Sequence, residues 1–359
     1  MLHCGMKTLK RAYGATLLLA FGLVGAGCVS PATRERQATA IPPTLTRYEF
    51  SQPQMGLPFR LVFYTTDAGA ANTAMTAAFA RIRQLNDSLS DYDPDSELSR
   101  LSQTAGSGAA VPVGGDLWRV LARAQQLAER SGGAFDITVG PVIQLWRKAR
   151  REKKLPAPER LAAARAAVGW KNLRLDPRRH TATLLVPDMR LDLGAIAKGY
   201  AIDEALAVLR AHGVRRALVS GGGDLCAGEP PPGKAGWRIE LAPLDVPHAP
   251  PAQFVSLAHA GLATSGDLFQ HLEIDGRRYS HIVDPRTGVG LTDHSLVTII
   301  ARDCLTADSL ATAVSVLGPE AGLKLVESTR GAAMRTVRQP GAQVEVRESP
   351  RFKEQLAVE

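Results

Sequence analysis

The stretch LDLGAIAKGY, residues 191–200, with AIDEALAVLR directly after it, constrains this chain more than any other. An apolar run stops at Asp192, and helical periodicity takes over from Ala201, with Ile202, Ala205, Leu206 and Leu209 on one face. The pattern predicts a strand end, a tight turn and a helix. Gly194 and Gly199 let the backbone turn there, or approach a ligand closely. Lys198 is the single cation of that decapeptide. Backbone N–H groups and a lysine together can meet an anion. The same pattern also fits an ordinary strand-to-helix turn with a solvated lysine.

The chain is long enough, at 359 residues, to bury a sizeable core. Its formal net charge of +8 invites a nucleic-acid reading, but charges of both signs alternate through most of the sequence. The densest basic run, RKARREKK at 147–154, has no interleaved aromatic residue and reads as a solvated helix face rather than a phosphate-binding patch. No nucleic-acid partner is therefore expected. None of the cysteines forms a CxxC pair, and a bond between Cys226 and Cys304 stays open.

Residues 1–27 read as an export signal. Lys7, Lys10 and Arg11 precede an apolar stretch too short to span a membrane comfortably. The stretch ends in Gly25-Ala26-Gly27-Cys28, which resembles a bacterial lipobox, with Gly25 where leucine is usual. A lipid on Cys28 would anchor the protein to a membrane, and Val29 in place of aspartate points to outer-membrane rather than inner-membrane retention. Residues 28–47, rich in Pro, Thr and Ala, read as a tether, leaving 48–359 as the folded domain. Within it, strand-like residues fill 48–65, and helical periodicity recurs over 70–89, 116–130, 142–151 and 159–168. The Asp275-Gly276 turn predicts a hairpin, residues 295–301 a strand, and a helix starts near Ala307. The pattern predicts alternating α and β elements in one compact body with two lobes, and implies no Rossmann order.

Three places carry chemistry. Asp308 and Thr312 stand four apart on that last helix, so their oxygens share a face and suit a hard cation such as Mg²⁺. As a plain helix, Asp308 would cap it. His281, with Tyr279 and Asp284 close by, suits a general base. Gly221-Gly222-Gly223-Asp224 follows a short strand, which implies backbone pressed against a bulky partner, ligand or protein. The acidic loop SDYDPDSELSRL at 90–101 lacks the calcium-loop offsets, and Tyr92 in it suits either a flat ligand or loop packing. GxSxG, HExxH, GxGxxG and GxxxxGK[ST] are all absent, which removes the common hydrolase, zinc-protease and nucleotide-loop readings.

Taken together, SDYDPDSELSRL at 90–101, SGGAFDITVGP at 131–141, LDLGAIAKGYAID at 191–203, VSGGGDL at 219–225, ATSGD at 263–267, YSHIVDPRTG at 279–288 and ADSLATA at 307–313 resemble the ApbE family of FAD:protein FMN transferases. The resemblance implies an α+β fold, mixed strands and helices in one compact body, and Mg²⁺-dependent cleavage of the FAD pyrophosphate outside the cytoplasm. The FMN half would go to a threonine hydroxyl of an acceptor flavoprotein subunit at the periplasmic face, with release of AMP. It implies metal binding by the carbonyl of Ala195 and the side chains of Asp308 and Thr312. FAD contacts would come from Met55, Tyr92, Ala134, Phe135, Asp136, Asp192, Ala195, Lys198 and Ile282. His281 would be the base, with Asp284 beside it. There are two rival expectations: a pyrophosphatase that uses the same site to give free FMN and AMP, and a non-catalytic periplasmic FAD-binding protein, which would keep the flavin contacts without needing Asp308 and Thr312 in metal-ligand register.

Overall fold

Period-two alternation builds the centre of the molecule. In the computed structural model, which describes residues 44–246, 249–267, 271–341 and 343–356, the chain opens with a hairpin of β1 (Thr46–Gln54) and β2 (Leu57–Thr65). Met55 and Gly56 form its two-residue turn, with φ of 51° and 75°. The 48–65 stretch is thus two strands, and Thr46 and Arg47 of the expected tether already belong to the first. Phe59, Leu61 and Phe63 of β2 enter the main core, while Val62 between them faces a second cluster on the opposite side.

Helix α1 (Ala68–Leu89) follows, its N-terminus capped by Asp67, and α2 (Glu97–Ser102), capped by Ser96, lies inside the acidic loop. Next come β3 (Val111–Pro112), α3 (Gly115–Arg130), α4 (Gly140–Glu152), α5 (Pro158–Ala166), β4 (Leu173–Asp176) and β5 (Thr181–Leu184). Helix α6 (Ala197–Ala211) begins four residues earlier than its apolar periodicity, so Lys198 and Gly199 lie in its first turn. No strand runs directly into it. Arg190 makes only an isolated bridge to Val139, and the Asp192 amide donates to the Ile137 carbonyl at 2.8 Å.

The chain continues through β6 (Ala217–Gly221), β7 (Asp224–Ala227), β8 (Trp237–Leu241), β9 (Gln253–Leu257), β10 (Ala260–Gly266), β11 (His271–Ile274), β12 (Arg277–Ser280), β13 (Val283–Asp284), β14 (Val289–Gly290) and β15 (Ser295–Ala301). Helix α7 (Cys304–Glu327) is broken at Gly318, φ 76°, just before Pro319. The chain then forms β16 (Ala333–Arg338), β17 (Glu345–Glu348) and α8 (Pro350–Lys353).

Eight strands make one sheet in the order β1-β2-β6-β7-β10-β15-β16-β17, every neighbouring pair antiparallel. Residues of α1, α6 and α7 cover one face, with Val219, Cys226, Ala263, Ile299 and Met334 beneath them. The β8–β9 hairpin and Phe352 cover the other face. An antiparallel sheet with its long helices on one side is an α+β architecture. The body from Pro43 onward is one unit rather than two lobes.

Two close contacts bring α6 and α7 into register. A Cβ on Gly199 would lie 2.4 Å from the Cys304 carbonyl oxygen, so only glycine permits this approach. Asp203, one turn further along α6, accepts from the amides of Cys304 and Leu305 at 2.8 and 2.9 Å. It supplements the Asp303 cap at the start of α7. Burial pushes the Asp203 carboxyl up to about 6, against the pull of those two amides. Cys226 and Cys304 are both free and buried, and burial pushes both thiols well above their ordinary range.

Candidate active site

The register of α6 against α7 sets an ammonium among oxygens. Lys198 Nζ lies 3.0 Å from both carboxylate oxygens of Asp308, 3.0 Å from the Gly194 carbonyl and 3.2 Å from Asp224 Oδ2. Asp308 does not cap its own helix, because that helix starts at Cys304. Instead its Oδ2 accepts from the Gly199 amide at 3.1 Å, one of the unpaired donors in the first turn of α6. Both carboxylates are 4% exposed, whereas Lys198 is 23% exposed and Gly194 is on the surface. The cluster therefore opens outward at the lysine and the glycine turn.

Asp224 comes from the GGGD motif, directly after the β6–β7 turn. Of the glycines before it, Gly221 is buried against protein, while Gly222 and Gly223 are exposed. A Cβ on Gly221 would lie 2.9 Å from the Phe59 ring, and Gly222 and Gly223 adopt φ of 63° and 95° in the two-residue β6–β7 turn. The turn places Asp224, the first residue of β7. Two buried carboxylates share one ammonium, so the cluster has more negative than positive charge. Burial pushes the Asp224 carboxyl up to about 7; Lys198 opposes this and the neighbouring Asp308 adds to it. The two carboxylates hold the Lys198 ammonium above its ordinary range even though burial works against its charge.

This donor set fits a hard cation. Asp224 Oδ2 is buried, and no donor is aligned with it as a hydrogen bond. Thr312 lies one turn beyond Asp308 on α7, its hydroxyl 3.4 Å from Ser265 Oγ. Among the described residues no three His, Cys, Asp or Glu side chains converge as a metal site. A cation here would therefore add hydroxyl and main-chain oxygens, such as the carbonyl of Ala195 in the 194–196 turn, to its carboxylates. Mg²⁺, which takes few carboxylates and hard oxygens, suits such a set.

A second group of residues meets the same turn. Asp192 accepts from the Gly194 amide at 2.8 Å through Oδ1 and from Arg147 Nη2 at 2.7 Å through Oδ2. Arg147 Nη1 also donates to Asp91, and its guanidinium carbon lies 4.3 Å from the centre of the Tyr92 ring. Arg147 thus departs from the solvated face expected of the basic run. It points back toward the acidic loop, drawn by two carboxylates.

The SGGAFD and HIVDP motifs meet at Ala134, Ile282 and Val316, a small buried cluster. Val316 lies eight residues beyond Asp308, so the row Asp308–Thr312–Val316 follows one face of α7 for about 12 Å. Ile282 packs in that cluster with Val316, and His281, its chain neighbour, lies in the bend between β12 and β13. The Ser280 amide donates to Leu291 and the Leu291 amide to Ile282, which fixes the bend. Asp284 is spent on its own turn, both oxygens paired with Arg286 at 2.9 Å. Phe135 is buried, and the Asp136 carboxylate is fully engaged by Thr138 and by the Trp170 amide, which ties two loops together. Met55 packs against the core from the β1–β2 turn.

The profile of the ApbE family matches residues 55–335. The chain belongs to the ApbE family. A FAD:protein FMN transferase of Haemophilus influenzae is 34% identical over 266 residues, 72% of this chain and 77% of that protein. One of Vibrio cholerae is 32% identical over 317 residues, 87% of this chain and 90% of that protein. Among solved structures, the flavin transferase ApbE of Vibrio cholerae superposes with a TM-score of 0.78 at 29% identity, covering 87% of this chain and all of that one. The flavinyl transferase ApbE of Pseudomonas stutzeri gives 0.77 at 33% identity, covering 88% and 98%. The α+β body is thus the ApbE fold. Its 191–203, 219–225 and 307–313 motifs are the ones that converge on Lys198.

Proposed function

We propose that this chain transfers the FMN half of FAD to a threonine hydroxyl of an acceptor protein and releases AMP. The observation that carries the proposal is the cluster of Lys198, Asp308 and Asp224, open to solvent at the Gly194 turn. Matches to relatives named FAD:protein FMN transferases along most of their length support it. In the reaction the threonine oxygen bonds to the phosphorus of the FMN half. The bond from that phosphorus to the bridging oxygen breaks, and AMP leaves with the oxygen and its negative charge. Lys198 is the cation placed to offset that charge. Asp308, Thr312 and the carbonyl of Ala195 would hold Mg²⁺, which supplies further charge neutralisation at the pyrophosphate.

His281 takes the proton of the threonine hydroxyl, a task for a base that titrates near neutrality. His281→Ala is expected to retain FAD binding and to slow transfer about 100-fold or more. Flavin fluorescence titration and acceptor mass, read on the same preparation, test this. Transfer by the variant at the parental rate would remove His281 from the role. Release of AMP with free FMN and an unmodified acceptor would favour a pyrophosphatase over a transferase.

We further infer export and attachment to the outer membrane through a lipid on Cys28. The sequence of residues 1–28 supports this, and those residues lie outside the described part of the structure. Among the described residues no helix is long and apolar enough to cross a membrane. Mass spectrometry of the N-terminal peptide from membranes decides the point. A lipid-modified Cys28 at the mature N-terminus is expected, and an intact 1–27 segment would contradict it.

A further inference from the structure

Tyr92 is an exposed aromatic on a pinned loop. The residue is 75% exposed, yet the loop that carries it is held at several points. Ser90 Oγ accepts from the amides of Tyr92 and Asp93, Ser96 Oγ donates to the Ser90 carbonyl, and Glu97 accepts from Ser88. One face of the ring is backed by the Arg147 guanidinium at 4.3 Å, while the ring remains largely open to solvent. Arg147 is itself only 18% exposed, and its other contacts are ion pairs to Asp91 and to the 9%-exposed Asp192. Removing a guanidinium from water is costly, and these partners repay it only in a fixed geometry.

We propose that Arg147 is a positioning residue for the dinucleotide. It presets Tyr92 as a platform for one flat ring of FAD, and it fixes that platform relative to the phosphate-facing turn. The connection is continuous: Arg147 holds Asp192, Asp192 holds the Gly194 amide, and the Gly194 carbonyl holds Lys198. One guanidinium therefore sets the spacing between a stacking surface and a cationic site, which is the spacing a dinucleotide must match. A ring already backed by a cation loses little freedom when a second ring stacks on its open face. Lysine would keep a charge near Asp192 but lacks the planar fork that pairs with two carboxylates and stacks at once. The proposal rests on the reading of FAD as substrate given above.

The test measures FAD affinity by flavin fluorescence in the full chain and in Arg147→Gln, Arg147→Lys, Tyr92→Ala and the Arg147→Gln/Tyr92→Ala double variant. Arg147→Gln is expected to raise the FAD Kd about 10- to 100-fold. Arg147→Lys should recover only part of that loss. In the Tyr92→Ala background, Arg147→Gln should weaken binding by a clearly smaller factor, because the platform is already gone. In turnover the loss should appear in KM for FAD more than in kcat. Independent, multiplicative effects of the two substitutions, or full rescue by lysine, would overturn the proposal and leave Arg147 as a plain loop tie. Because the titration needs no acceptor, tight FAD binding by a parent that fails to transfer would sink the transferase reading alone. A parent that does not bind FAD would overturn both.

Discussion

Asp308→Ala is expected to cut flavin transfer about a thousandfold or more, since several kcal/mol of charge stabilisation at the pyrophosphate depend on that side chain. The fold should survive. Lys198 keeps Asp224 as a counter-ion at 3.2 Å, so the cluster becomes a neutral pair instead of an unbalanced triad. The stability cost is the Gly199 amide, which loses its acceptor at 3.1 Å, about 1–3 kcal/mol. Asp308→Asn retains an oxygen for that amide and should be the more stable of the two variants while remaining equally inactive. Transfer rate, melting temperature and Mg²⁺ titration of each variant check these points. Parental turnover in either would place the reacting phosphates elsewhere.

Lys198→Met should have the opposite profile, with a large loss of stability. The substitution leaves Asp224 and Asp308, each 4% exposed, facing one another without the ammonium between them. Removing one partner from a buried ionic group costs about 3–5 kcal/mol, a fall in melting temperature on the order of 10 °C for a body of this size. The pH dependence follows from Asp224, whose carboxyl burial already pushes up to about 7. Its folded-state value lies above the ordinary carboxylate range and would rise further without Lys198. The variant's stability is therefore greatest below that ordinary range and is lost as pH rises through the raised value. The melting gap between parent and variant should be wider at pH 8 than at pH 6. Mg²⁺ should restore more stability to the variant than it adds to the parent, because both carboxylates are then free to bind it. Equal melting at pH 8 would contradict the buried-charge account.

The sequence carried the positions of this cluster better than its wiring. The four-residue spacing of Asp308 and Thr312 fixes a shared helix face wherever the helix begins, so that pair was legible. The start of α6 was not, because periodicity appears only where apolar residues do. Its first turn, Ala197, Lys198, Gly199 and Tyr200, is positioned by the close approach of α7 at Gly199, a contact between segments more than a hundred residues apart. The partners of Lys198 were hidden for the same reason: Asp224 reaches it from a hairpin and Asp308 from another helix.

Arg147 was misassigned because a basic run averages over helix faces. The inward face of α4 is Val142, Trp146 and Ala149, and Arg147 stands off that face, held by Asp91 and Asp192 from other segments. Of the glycines at 221–223, Gly221 does lie against a bulky partner, the Phe59 ring, whereas a side chain at Gly223 would meet nothing. The sheet order was likewise beyond reach, since β6 inserts beside β2 after more than 150 intervening residues.

The most direct test of the central claim is the intact mass of an acceptor protein after incubation with the full chain, FAD and Mg²⁺. The account predicts a gain of one FMN on a threonine, one AMP released for each modified acceptor, and loss of both products with a chelator or with Asp308→Ala. An unmodified acceptor, in a reaction where an established family transferase modifies the same preparation, would contradict it.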